Sequence, residues 1–454
     1  MQEVLSLSAT QQATLIRQRK ISSVELIEAH LAQIEAVNPS LNAVTQLLAG
    51  RALAEARRAD ESPSQGPLHG VPFTVKDSLE LQGTGCTAGT FGRANAASST
   101  ADAALITSLR KAGAIPIAKT NLPDLLFAFE TDNLLFGRTN NPYDLSRTPG
   151  GSSGGEAALI AACGSPMGLG SDCAGSVRLP AAFCGIAGIK PTSGRLSRQG
   201  HFPPAGGWIE SLWQIGPMAR HVKDLRLMMG LFEPFTPLTG LTHLKITFHT
   251  GNGFLSPTAE VASVVQSAAD ELGAVEDRPG CIASAYDLEM KILGADGGDS
   301  IRAYLAEIGS TKVHPLLTGW LDKLEAYRTD LAGFQSYWAE WDAYRAEMAV
   351  FFQRYDAIVC PVYTQPALPH ATSTLDENFR GFSFTMAYNV AGLPAAVVRC
   401  GESSTGLPIA VQIVARPQRE DVALAIAEHL EAVFGGWKAP TSLVNALSVP
   451  ATAR

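Results

Sequence analysis

The chain has no paired-cysteine motif. Its seven cysteines (Cys86, Cys163, Cys173, Cys184, Cys281, Cys360 and Cys400) are odd in number and scattered over 454 residues. None forms C-x-x-C and none clusters with histidine at zinc spacing, which argues against both a structural zinc and a disulfide framework. They read as small buried hydrophobes in a reducing compartment. Basic charge is scarce as well: 35 Lys and Arg against 43 Asp and Glu leave a net charge of −8. Without a domain-wide positive field to hold a phosphate backbone, nucleic acid is not an expected partner. Long apolar runs are also missing. A bilayer span needs about 18 or more apolar residues, and the nearest approach, Ala157 to Ser171, is interrupted by glycines, Ser165 and Pro166. The opening MQEVLSLSATQQATLIRQRK shows no basic start followed by an apolar run and cleavage site. The expectation is a soluble, cytoplasmic protein without a membrane span.

What remains is a globular composition, 46% apolar and 17% charged, too apolar and too weakly charged for disorder. The length allows two or three domains or one large α/β unit. Residues 1–65 read as helical: Ser22-Ser23-Val24-Glu25 is a capping box, with Val24, Ile27, Leu31 and Ile34 at helical spacing behind it. Val71 to Val75 reads as a short buried strand running into Lys76. A helix over 103–112 and a strand over 114–118 follow, and Ala157 to Ala162 lies on a short buried helix. Such alternation predicts an α/β layer fold with a largely parallel sheet. Further on, strands are expected near 244–248 and 355–361, and two within 387–414. Helices are expected over 258–272, through most of 284–354, and near 421–433. The stripe Phe334, Trp338, Trp341, Arg345, Met348 and Phe352 is read as core.

Chemistry concentrates where glycine and serine are dense yet mixed with apolar residues, unlike a flexible linker. Thr148-Pro149-Gly150-Gly151-Ser152-Ser153-Gly154-Gly155-Glu156 admits three readings. A phosphate cradle lacks the Lys-Ser/Thr of a P-loop. A nucleophile elbow, with Ser153 in G-x-S-x-G, needs a partner histidine, and none of His201, His221, His370 and His429 is singled out by its setting. The third reading is a glycine turn without chemistry. A second serine, Ser176, follows small residues in Asp172-Cys173-Ala174-Gly175-Ser176, where successive backbone N–H groups can converge on developing negative charge. Upstream, Lys76 stands behind an apolar strand. Burial lowers a lysine pKa and makes the neutral amine a base near neutral pH, so Ser–Lys catalysis without histidine is open.

Several blocks together resemble the amidase signature hydrolases: Gly70-Val71-Pro72-Phe73-Thr74-Val75-Lys76-Asp77, Gly150 to Glu156, and Gly170 to Pro180. The likeness continues through Ala182 to Thr192, Gln214 to Met218, Lys119 to Leu122 and Phe136 to Pro142, with weaker echoes at Asn389 to Pro394 and Gly406 to Pro408. The Ser-Gly-Gly-Glu run and Phe183-Cys184-Gly185 are most similar to fatty acid amide hydrolase-like bacterial amidases. The resemblance implies one amidase-signature domain over 1–454, with a mixed, roughly eleven-stranded sheet sandwiched by helices. Its catalytic motifs would fall in 66–235, and 236–454 would supply the remaining sheet and a helical cover over 284–354.

The resemblance further implies a Ser–cis-Ser–Lys triad that hydrolyses amides. Ser176 would be the acylated nucleophile, Ser152 the bridging serine after a cis peptide with Gly151, and Lys76 the base. Ser153 would support them, and the N–H groups of Cys173, Ala174, Gly175 and Ser176 would form the oxyanion hole. Leu126, Phe127 and Phe129 are expected to line an apolar or aromatic acyl pocket. No metal or organic cofactor is implied; the partner is a small-molecule amide, and a homodimer is an open possibility. Ala174 departs from the family's usual glycine and puts the oxyanion geometry in question. Asp172 and Arg178 are read as a structural ion pair. The alternative, a glutaminase A subunit of a tRNA-dependent amidotransferase, usually carries a Gly-Ser-Ser-Thr-Glu-Asn-type run where this chain reads Ala128-Phe129-Glu130-Thr131-Asp132-Asn133.

Overall fold

The computed structural model describes residues 1–204, 207–238 and 240–440. Eleven strands form one sheet. In chain order they are β1 (Val44–Leu47), β2 (Pro72–Lys76), β3 (Ile115–Thr120), β4 (Met167–Asp172), β5 (Ala187–Lys190), β6 (Gln214–Ala219), β7 (Ile246–Phe248), β8 (Val275–Glu276), β9 (Ala357–Pro361), β10 (Ala395–Glu402) and β11 (Pro408–Ala415). Across the sheet they run β1-β3-β2-β4-β6-β5-β10-β11-β9-β7-β8. Side chains alternate across the pleat. In β10, Ala396 and Val398 join the apolar cluster on one face, while Val397 joins that on the other.

The largely parallel sheet expected from strand–helix alternation is corrected: six of the ten pairings are antiparallel and four are parallel. Alternation identifies parallel neighbours only where a helix carries the chain back to the same end, as between β2 and β3. β10 and β11 instead form a hairpin, and β6 enters antiparallel between β4 and β5.

The helices fall close to their expected places. Ser22 caps the helix Ser23–Leu41 by accepting from the Glu25 N–H, and Glu25 closes the reciprocal bond. Residues 284–354 hold four helices, Ala285–Gly294, Asp299–Glu307, Pro315–Glu325 and Leu331–Phe351. The aromatic stripe on the last of these is core only in part. Trp341, Met348 and Phe352 are buried, whereas Trp338 is 38% exposed and packs edge-on to Trp341 at the rim.

The fold aims two carboxyl ends at one place. β2 and β4 are parallel neighbours, with Thr74 opposite Gly168 and Val75 opposite Leu169. Lys76 therefore ends one strand beside Ser171 and Asp172 at the end of the other. Crevices beyond the carboxyl ends of parallel strands are where α/β sheets present chemistry.

Candidate active site

Lys76 is fully buried. Its Nζ lies 2.7 Å from Ser152 Oγ, 3.1 Å from Ser171 Oγ and 3.5 Å from the Ser171 carbonyl. Its sequence neighbour Asp77 does not pair with it. That carboxylate binds Lys119 at 2.6 Å and accepts from Thr87 Oγ1 at 2.5 Å. The other nearby acids are also engaged. Asp172 takes Arg178 through two 3.0 Å contacts, as expected of a structural pair, and accepts from Gly175 N, Val177 N and Asn389 Nδ2. Glu156 accepts from Thr74 and, at 2.6 Å, from Thr120. Desolvation therefore dominates at Lys76 and lowers its pKa to about 7, against the pull of Asp172 and Glu156. Burial raises the Glu156 carboxyl to about 7, which weakens its opposing charge.

The two serines arrive from different elements. Ser152 follows a cis peptide with Gly151, as the resemblance implies, and stands two residues before the helix Gly154–Ala161. Ser176 lies between β4 and the helix Arg178–Phe183. The Ser153 N–H donates to the Ser176 carbonyl at 3.2 Å and so ties the two loops together. Ser152 and Ser176 both line one cavity, whose other walls include Leu126, Phe127, Phe129, Cys173, Ala174, Trp213, Leu293 and Trp320. Ser153 is fully buried, and its hydroxyl is bonded to the Ser171 backbone through two 3.3 Å contacts. None of the histidines considered for an elbow pairs with it: His221 faces Ser6, His370 faces Leu145 and His429 faces Glu271. His201 faces the Pro203 carbonyl.

The match extends beyond this site. A family model described as Amidase matches residues 25–234 and 241–424. The chain belongs to the amidase family. This amidase is 32% identical to human fatty-acid amide hydrolase 2 over 96% of its own length and 91% of the relative's. It is 34% identical to the A subunit of glutamyl-tRNA(Gln) amidotransferase from Roseiflexus sp. (strain RS-1), over 94% of its length and 96% of the relative's. Its fold overlays that of 6-aminohexanoate cyclic dimer hydrolase complexed with substrate with a TM-score of 0.84 at 28% identity, covering 97% of this chain and 99% of the other. It is accordingly a hydrolase of amide C–N bonds.

The doubt that Ala174 raises resolves in the geometry. Ala174 is not among the residues with positive φ; the left-handed backbone falls on Gly175, at φ +127°. A Cβ at Gly175 would stand 2.4 Å from Thr385 Oγ1, so glycine is required there and alanine is tolerated one residue earlier. Cys173 is held as a thiol, because burial, reinforced by Glu289, pushes its pKa well up. Sequence reasoning missed Ser171, the second hydroxyl at Lys76, and also Trp213, Leu293 and Trp320. Trp213 directly precedes the Gln214–Met218 block but carries no motif of its own, and Leu293 and Trp320 stand far along the chain, brought to the cavity only by the folded helices. Phe129 stacks on Phe382 with centroids 3.5 Å apart and lies 5.6 Å from Trp320. Phe127 meets Trp213 and Trp320 edge-on at 6.4 and 6.0 Å. Among the described residues no helix is long and apolar enough to cross a membrane.

Proposed function

We propose that this amidase hydrolyses carboxylic amides of apolar or aromatic acyl groups through a Ser176–Ser152–Lys76 relay. The observation that carries the reading is a buried amine without a carboxylate partner, 2.7 Å from a serine hydroxyl that shares one cavity wall with Ser176. Neutral Lys76 takes the proton of Ser152, and Ser152 takes that of Ser176 as its Oγ attacks the carbonyl carbon. The oxyanion faces the N–H groups of Cys173, Ala174, Gly175 and Ser176. Gly175 shares its N–H with Asp172 at 2.8 Å, so the other three carry most of the load. The relay then runs backwards: the proton passes through Ser152 to the amide nitrogen, the C–N bond breaks, and the acyl group remains as an ester on Ser176. Water, deprotonated by the same relay, releases the acid. Ser153 supports the relay by joining the loops that carry Ser152 and Ser176.

Leu126, Phe127 and Phe129 would receive the acyl group, with Trp320 and Leu293 completing an apolar wall. Such a wall suits a hydrocarbon or an aryl ring and offers little to the charged groups of glutamine. The test is release of amine from simple aryl and fatty amides by the purified chain alone, abolished in Ser176→Ala. The amidotransferase reading, supported by the similarity to the Roseiflexus protein, requires instead glutaminase activity that appears only with added partner subunits.

A further inference from the structure

A second cavity adjoins the first. Phe127 and Trp213 line both and form the partition between them. The second contains a charge. Arg198 lines it and is only 7% exposed, yet its Nε and Nη1 are buried without a hydrogen-bond acceptor among the described residues. Nη2 donates to the Pro203 carbonyl at a long 3.3 Å. The guanidinium lies over the Trp213 ring, 4.9 Å from its centroid, which holds the cation at the partition. Among the described residues its one ion-pair partner is Glu210, whose Oε2 stands 3.3 Å from Nη1; that side chain is 38% exposed, and exposure to solvent weakens such a pair. A buried guanidinium with unmet donors is costly unless an acceptor arrives.

We propose that Arg198 is an anion subsite for the amine half of the substrate, which is an N-acyl amino acid or a related amide whose amine side carries a carboxylate. The inference rests on the acyl-enzyme reading above, because that reading fixes which half goes where. The amine departs while the acyl group is still bonded to Ser176, so the amine needs a route to water past a retained acyl chain. Leu126, Phe129 and Trp320, which wall the first cavity, are all buried, whereas the second cavity is bordered by exposed Ser300 and half-exposed Glu210. The acyl group therefore occupies the first cavity. The amine extends past Trp213 into the second, where its carboxylate competes with Glu210 for Arg198 through charge-assisted hydrogen bonds.

The test is calorimetric binding of two matched amides, N-octanoylglycine and N-octanoylglycinamide, to the full chain carrying Ser176→Ala. The glycine compound should bind about tenfold tighter or more, the scale of a hydrogen-bonded charge pair. Adding Arg198→Met should bring the ratio to about one, and adding Glu210→Gln should raise it severalfold by removing the competitor. Equal affinities, no binding of either amide, or a preference that survives Arg198→Met would overturn the subsite. If Arg198→Met does not fold, the exposed Glu210→Gln variant decides: an unchanged ratio overturns the proposal. Loss of octanamide turnover in Ser176→Ala tests the triad separately, so the two readings fail independently.

Discussion

At Lys76, burial prevails over three nearby acids because each acid is already engaged: Asp77 by Lys119 and Thr87, Asp172 by Arg178, and Glu156 by two threonines. A base must be neutral to accept a proton, and Lys76 becomes neutral as pH rises through about 7. kcat/KM should therefore climb about tenfold per pH unit below that point and level off above it, as measured on a neutral amide that does not titrate. A profile that falls with rising pH through neutrality would contradict the assignment. Lys76→Ala should lower kcat by about three orders of magnitude, in the middle of the range a positioned base supplies. Ser171 offers a finer check. Its hydroxyl, 3.1 Å from Nζ, stabilises the ammonium form, so Ser171→Ala should move the inflection to lower pH. The plateau should also fall about tenfold with the loss of one orienting hydrogen bond, near 1.4 kcal/mol. An unmoved inflection would show that Ser171 does not act on the amine.

At the scale of elements, the site depends on how closely β2, β4 and the helix Gly154–Ala161 approach one another. Gly168 in β4 faces Glu156 of that helix, and a Cβ there would lie 1.7 Å from Oε1 and 2.6 Å from Thr74 Oγ1. Gly168→Ala should thus cost about 3 kcal/mol in a urea unfolding curve, the upper range for overpacking a core; a loss below about 1 kcal/mol would mean that the helix can retreat. Trp320, from the helix Pro315–Glu325, closes the apolar cleft against Phe127 and Phe129. Trp320→Ala should raise KM for an aryl or medium-chain amide about tenfold or more while changing acetamide hydrolysis far less. Equal losses on both would argue for a structural role alone.

Legibility at this scale follows from how local each signal is. The strand ending in Lys76 was legible because five apolar or β-forming residues precede the lysine, and the helix from Ser23 because its cap and apolar face lie within a few residues. β4 was not, since its glycines read as a loop until close packing explains them. β1 and the two-residue β8 have no buried alternating face to announce them. Leu125 and Leu126 adopt positive φ, at 50° and 67°, which leucine does not signal in sequence. Strand direction also escaped, because it depends on which strand each segment meets. At the site, Lys76 and Ser176 stood out as candidates through an apolar strand and a loop of small residues, whereas the role of Ser152 was reachable only through the resemblance of the surrounding blocks. Trp213, Trp320 and Arg198 carry no motif and gain meaning only from the cavities they wall.

For the molecule as a whole, the helices of 284–354 bring Leu293 and Trp320 to the cavity that Ser176 lines, on a loop that follows β4. Family membership establishes amide-bond hydrolysis; which serine carries the acyl group is the claim on which the mechanism turns. Four side chains compete for that role in one neighbourhood: Ser176, Ser152, Ser153 and Cys173. Ser153 is sealed against Ser171, burial holds Cys173 protonated, and Ser152 is bonded to Lys76, while Ser176 opens on the cavity. The decisive measurement is intact-mass and peptide mapping of the protein after reaction with a fluorophosphonate, an acyl-transfer trap for activated serines. The account requires a single adduct on Ser176, absent from Ser176→Ala and formed far more slowly in Lys76→Ala. An adduct on Ser152, Ser153 or Cys173, or labelling of the usual stoichiometry in Ser176→Ala, would contradict it.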